Sequence, residues 1–250
     1  MIKAIFAYDK INNLIIKNST YTSLCADGTK INTLTTDCDV PKNAFNNAGI
    51  TSVTILEGID SIADNAFSYC NSITSITGLE YVKSIGSSAF FGAFATDTVI
   101  DNITLNDCAL GNRAFVSNKG VITIETLSLN NCTLSDEAFA GWSSSLYFSL
   151  GTVELNACNM TKNIFRYDVI DTLIINQSTY TSLGASKVNT LTTDCDVPDN
   201  AFSAADIKDL MILSLLGIMH FITAQILLRL NFLLIVLISR TVSTVQRQLQ

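Results

Sequence analysis

Apolar residues recur along most of the chain in a spacing that fits neither an amphipathic helix nor a simple hairpin. Residues 100–110 read IDNITLNDCAL, residues 124–134 IETLSLNNCTL and residues 150–160 LGTVELNACNM. The shared pattern is apolar-x-x-apolar-x-apolar-x-x-Cys-x-apolar. Residues 11–21 and 170–180 fit it with Ser19 and Ser178 in the cysteine place. In the central apolar-x-apolar triplet the outer residues share one side of a strand and the middle residue takes the other. Ile103 and Leu105 are therefore predicted to point inward and Thr104 outward. One such unit cannot bury its own apolar side. Neighbouring units stacked strand beside strand, about 4.8 Å apart, bury it jointly.

After each clean segment comes a short polar stretch and then an Ala-Phe or Ile-Phe pair. Phe45, Phe67, Phe90, Phe115, Phe139 and Phe165 recur every 22 to 26 residues, and Phe202 follows later. Cys38, Cys108, Cys132, Cys158 and Cys195 each stand seven residues before a phenylalanine. These five cysteines are one repeat position read five times, which predicts reduced, buried thiols in a structural ladder and not disulfide pairs. The side chain there follows the strand, where the chain turns, and can satisfy backbone groups that the turn leaves open. The phenylalanines are predicted to fill the space behind the sheet.

A longer duplication overlies the short one. Residues 1–56 align with 160–213, pairing Tyr8-Asp9 with Tyr167-Asp168, and residues 33–41 and 190–198 are identical (TLTTDCDVP). Met1 pairs with Met160, an apolar position in mid-repeat, which predicts that the chain is an internal piece of a longer protein. The first ten residues carry charge too early for a secretory leader.

The segments SIADNAFSYC (61–70) and SIGSSAF (84–90) carry the Ala-Phe element most clearly. With the strand pattern, they resemble the leucine-rich-repeat family and, within it, the BspA-like branch, over roughly residues 1–213. The resemblance implies a repeat solenoid of about ten short parallel strands stacked in one curved sheet, with loops and 3-10 turns behind. It also implies a non-enzymatic protein-binding module at the cell surface or outside the cell, in adhesion or host and matrix protein recognition. An intracellular scaffold of a multigene family, in the cytoplasm, is the alternative. The binding side would be the outward sheet face, where Thr54, Thr104, Ser128 and Glu154 sit between apolar pairs. Asn106, Asp107, Asn130 and Asn131 flank them. Such a face suits an extended protein ligand better than a small molecule.

Residues 1–208 are thus read as the solenoid and residues 209–250 as a separate hydrophobic segment expected to form a helix. A run such as 210–238 is long enough to span a bilayer, with Arg229, Arg240 and Arg247 placing the C-terminus in the cytoplasm. The competing reading is an out-of-frame translation of another repeat. The frame starting at the third base of the Met219 codon forces Ala after Met219-His220, and next permits Phe, as in the Ala-Phe element. The membrane is a partner only if the span is real.

Charge and composition narrow the function. A net charge of −7 disfavours nucleic acid and anionic membrane surfaces. The single histidine, His220, lies in the hydrophobic segment, so the repeat region lacks the residue that most acid–base and metal chemistry uses. No phosphate loop or paired CxxC is present, and no cofactor, metal or catalytic residue is expected. Asp37-Cys38-Asp39 and Asp194-Cys195-Asp196 read as solvated turn carboxylates. Asn-x-Ser/Thr triplets occur at Asn18, Asn102, Asn131, Asn159 and Asn176. Trp142, the sole tryptophan, is read as an aromatic packed on its own repeat.

Overall fold

The computed structural model describes residues 5–25, 28–203 and 205–212. Ten strands form the long side of the coil: β1 (Lys10–Ile16), β2 (Lys30–Thr36), β3 (Gly49–Ile55), β4 (Ser75–Thr77), β5 (Val99–Asn106), β6 (Val121–Asn130), β7 (Tyr147–Asn156), β8 (Val169–Asn176), β9 (Lys187–Thr193) and β10 (Asp206–Ile212). Every pairing between them is parallel, and within each of two runs, β1 to β4 and β5 to β10, each strand pairs with the next in sequence. The fold is therefore a parallel β-solenoid of about nine turns.

The period-2 reading holds residue by residue. Ile103, Leu127, Val153, Leu173 and Leu191 lie in one register row and are buried. Leu105, Leu129, Leu155 and Ile175 form the second inward row. In the two TLTTDCDVP segments the second inward place belongs to threonine. Thr36 and Thr193 are fully buried, and their hydroxyls accept from the N–H groups of Cys38 and Cys195 at 3.0 Å.

Two features differ from the expected single sheet backed by loops. The long side is split into a four-stranded run, β1 to β4, and a six-stranded run, β5 to β10. The break falls after β4, where Gly78 adopts φ 86° and leads into a 3-10 turn at Leu79–Tyr81. A Cβ at Gly78 would lie inside contact distance of the Ile55 carbonyl, so only glycine lets the chain pass there. The back of the coil is also stranded. Ser61–Ile62, Ser84–Ile85, Ala109–Leu110, Thr133–Leu134, Asn159–Met160 and Thr179–Tyr180 form a second parallel ladder, and Phe90–Phe91, Phe115–Ser117 and Phe139–Gly141 a third. Turns of similar length repeat their backbone in register, so the peptide groups behind the face can also pair with the turn above.

The core runs the length of the coil. Phe45, Phe67, Phe90, Phe115 and Phe139 stack with centroid spacings of 5.3, 5.1, 4.8 and 4.6 Å, all fully buried. Phe165 extends the stack at 6.2 Å. Phe202 is not its direct neighbour: Leu183 accepts from the Phe165 N–H and donates to Ala201, filling the intervening turn. Tyr180 packs edge-on against Phe202 at 6.2 Å.

β10 carries the ladder to Ile212, past the expected boundary at 208. The only helix among the described residues is the 3-10 turn, and none is long and apolar enough to cross a membrane. The predicted C-terminal hydrophobic helix, with His220 and most of residues 209–250, lies outside the described residues.

Candidate binding face

On the six-stranded run the outward row is Thr104, Ser128, Glu154, Ile174 and Thr192, each half-buried between its neighbours, and it ends on the exposed Met211. Glu154 is steadied by the Ser128 hydroxyl, which donates to its carboxylate at 3.4 Å. Thr54 stands elsewhere. It lies on β3 between Thr35 and Thr77, on the far side of the break, so it does not share a continuous sheet with the other three predicted face residues. A parallel row of Asn102, Thr126, Thr152, Thr172 and Thr190 also faces out, at the place just before each strand triplet. The repeat pattern marked these places only as variable, so nothing in any single unit flagged them.

The asparagines beside the face mainly bond to one another. Asn130 donates its side-chain amide to Asn106 at 2.9 Å, Asn156 to Asn130 at 2.9 Å, and Asn176 to Asn156 at 3.0 Å. This ladder follows from placing an asparagine at the same register position in four consecutive strands. Asn176, one of the five sequon asparagines, is committed to it, and its sequon hydroxyl, Ser178 Oγ, is buried. Asp107 and Asn131 are exposed turn residues with φ of 52° and 53°. Asn131 donates to Asp107 at 2.7 Å, and Asp107 also pairs with Lys83 at 3.7 Å.

The cysteine position does the backbone work expected of it. Cys132 Sγ reaches the Leu105 and Asn130 carbonyls at 3.5 and 3.3 Å, and Cys158 Sγ the Leu129 and Asn156 carbonyls at 3.2 and 3.5 Å. Ser178 makes the equivalent pair, to Leu155 at 3.2 Å and Asn176 at 2.8 Å. All seven cysteines are free and buried. Burial pushes the Cys25 and Cys108 thiols up to about 12, and raises Cys70 and Cys195 as well. Burial therefore favours the protonated thiol at these four positions at neutral pH.

Three of the aspartates flanking Cys38 and Cys195 are more than solvated carboxylates. Asp37 accepts from the Asn18 N–H at 2.9 Å, Asp194 from the Gln177 N–H at 2.8 Å, and Asp39 from the N–H groups of Asp60 and Ser61 at 2.9 and 2.8 Å. Asp37 and Asp194 thus tie their turns to the preceding coil and Asp39 ties its turn to the next, and no cluster among the described residues is suited to a metal ion. Trp142 lies outside the core. It is 54% exposed and leans edge-on against Phe91 at 5.6 Å, across the intervening turn that carries Phe115. Phe91 in turn meets Tyr69 at 5.2 Å.

The described concavities are shallow. One of about 470 Å³ lies beside Lys10, Lys30 and Gly49, and one of about 500 Å³ beside Asp37, Glu57 and Tyr81. The broad feature is the ladder face itself, so the chain is a leucine-rich-repeat solenoid of the kind that serves as a protein-interaction module. Residues 38–180 match the BspA type leucine rich repeat region in six copies, and the chain belongs to that family. No curated protein and no solved structure shows significant similarity to it.

Proposed function

We propose that this is a non-enzymatic adhesion module of the cell surface, which recognises a host or matrix protein through the outward face of β5–β9. The observation that carries this reading is the row Thr104–Ser128–Glu154–Ile174–Thr192, a register-locked surface of small polar and β-branched side chains around one carboxylate. Stacked parallel strands hold it rigid before any ligand arrives, which lowers the ordering cost of binding. Membership of the BspA-type family supports a protein partner.

Ser128→Arg places a long charged side chain at the centre of the row while leaving the inward rows untouched. The full chain, immobilised on beads, is expected to attach to at least one of a panel of matrix-protein-coated surfaces. Ser128→Arg is expected to cut that attachment about tenfold or more, the loss of a central contact worth roughly 1.4 kcal/mol. Unchanged attachment in a folded variant excludes the face as the binding surface.

The seven free, buried thiols favour a second reading, an intracellular scaffold in a reducing compartment. Surface labelling of intact cells separates the two: a surface adhesin is labelled and a cytoplasmic scaffold is not.

A further inference from the structure

Strands β5 to β8 carry Asp101, Glu125, Glu154 and Asp171 and not one lysine or arginine. The cations of these turns lie between the strands, and all but the exposed Lys119 are already engaged. Lys83 pairs with Asp107, Arg113 and Arg166 both hold Glu137 at 2.7 Å, and Lys162 pairs with Asp136. None of the four strand carboxylates has a cation partner among the described residues.

Three of the four share one register column. Ile100, Ile124, Leu150 and Ile170 pair across the strands, so the next residues, Asp101, Glu125, Gly151 and Asp171, stand in line along the edge of the face. Asp101, Glu125 and Asp171 are exposed. Strand spacing puts Glu125 and Asp171 about 4.8 Å to either side of Gly151. A Cβ at Gly151 would stand 2.5 Å from the Glu125 carbonyl oxygen, so this place in the column is kept free of a side chain. The result is a notch with a carboxylate on each flank. Asp171 is oriented by the Asn189 side-chain amide, which donates to it at 2.7 Å. Glu154 lies three residues along the same strand, and Ile174 pairs with it in register, offering an apolar surface one strand over.

We infer that this sheet face receives an extended segment rich in lysine or arginine, with one basic side chain seated in the Gly151 notch between Glu125 and Asp171. The charge complementarity is local: the strands supply only carboxylates, and the incoming ammonium or guanidinium relieves their mutual repulsion. The aliphatic stem of a lysine can lie along Ile174 and the threonine methyls while its head reaches the carboxylates. This rests on the reading of the face as the binding surface and specifies what chemistry it selects.

The probes are three short acetylated peptides that alternate threonine with lysine, glutamine or glutamate, titrated against the full chain at low and physiological salt. The lysine peptide is expected to bind about tenfold or more tightly than the glutamine peptide at low salt, with the difference shrinking as salt rises. The glutamate peptide is expected not to bind. Glu125→Gln combined with Asp171→Asn is expected to remove the preference, and Glu57→Gln, an exposed carboxylate off this column, to leave it intact. Far-UV circular dichroism and thermal melts check that the variants fold. Equal binding of the lysine and glutamine peptides, no binding of the lysine peptide, or a preference that survives the double variant overturns the inference. If Ser128→Arg nevertheless abolishes attachment to protein-coated surfaces, the face stands and only its charge selection falls. If Ser128→Arg has no effect there, the face reading itself is lost.

Discussion

Asp9 and Asp168 follow the same tyrosine in the two halves of the duplication, yet they live in different surroundings. Asp9 is exposed, whereas Asp168 is fully buried. One Asp168 oxygen accepts from the Phe148 N–H at 2.9 Å, and the other has no partner. Burial pushes its carboxyl well above the usual range, and the backbone N–H groups of Phe148 and Gly141 offset this only in part. The folded state therefore holds the proton after the unfolded chain has released it. Stability should fall as pH rises from the ordinary carboxylate range up to the folded value, by as much as about 1.4 kcal/mol per pH unit. Thermal melts of Asp168→Asn should match the parent in acid and exceed it at neutral pH; the same slope in both proteins would remove Asp168 as its source. At the cysteine position, Ser178 shows what a hydroxyl does in the same place. Cys132→Ser should change stability by less than about 1 kcal/mol, while Cys132→Val, which strips the Leu105 and Asn130 carbonyls of a donor, should cost about 1–3 kcal/mol. Urea unfolding distinguishes the two.

The element that spans the molecule is the phenylalanine stack. Phe115 lies at its centre, 4.8 Å from Phe90 and 4.6 Å from Phe139, both in near-parallel contact. Phe115→Ala should destabilise the chain by about 3–5 kcal/mol through lost burial and the cavity left behind. Trp142→Ala, on a ring more than half exposed, should cost much less. Comparable losses in denaturant midpoint for the two variants would contradict the stack as a principal source of stability. The seven-residue step from Cys to Phe already marked both ladders in the sequence. What it did not show is that Leu183 takes a turn of the stack between Phe165 and Phe202, because that turn lacks the Ala-Phe pair.

Across the whole molecule each turn touches mainly the turns above and below, so stability should vary along the coil. In β6 four strand residues are buried, Ile122, Ile124, Leu127 and Leu129, and strands pair on both sides. In β1 only Ile16 is buried, and a single described strand pairs with it. Hydrogen exchange should therefore protect the β5–β8 amides longest and those of β1 least. Uniform protection along the coil would show that the turns unfold as one unit. The segregation of charge belongs to this scale too, since no single repeat reveals that four successive strands are free of cations.

The sequence by itself determined the strand period, the inward rows and the two ladders, because each is dictated by the two-residue alternation of a strand and the recurrence of one unit. Even the turn chemistry was legible, as Cys and Ser at one position imply a side chain bonded to backbone. Only the tertiary structure decided which turns stay in register. It placed the break at Gly78, moved Thr54 away from Thr104, Ser128 and Glu154, joined Asn106, Asn130, Asn156 and Asn176 into a ladder, and aligned Glu125 and Asp171 on either side of Gly151. The physical reason is that turns differ by a few residues in length. Which residue lies above which depends on how each turn absorbs that difference, a property of the stacked coil and not of any one repeat.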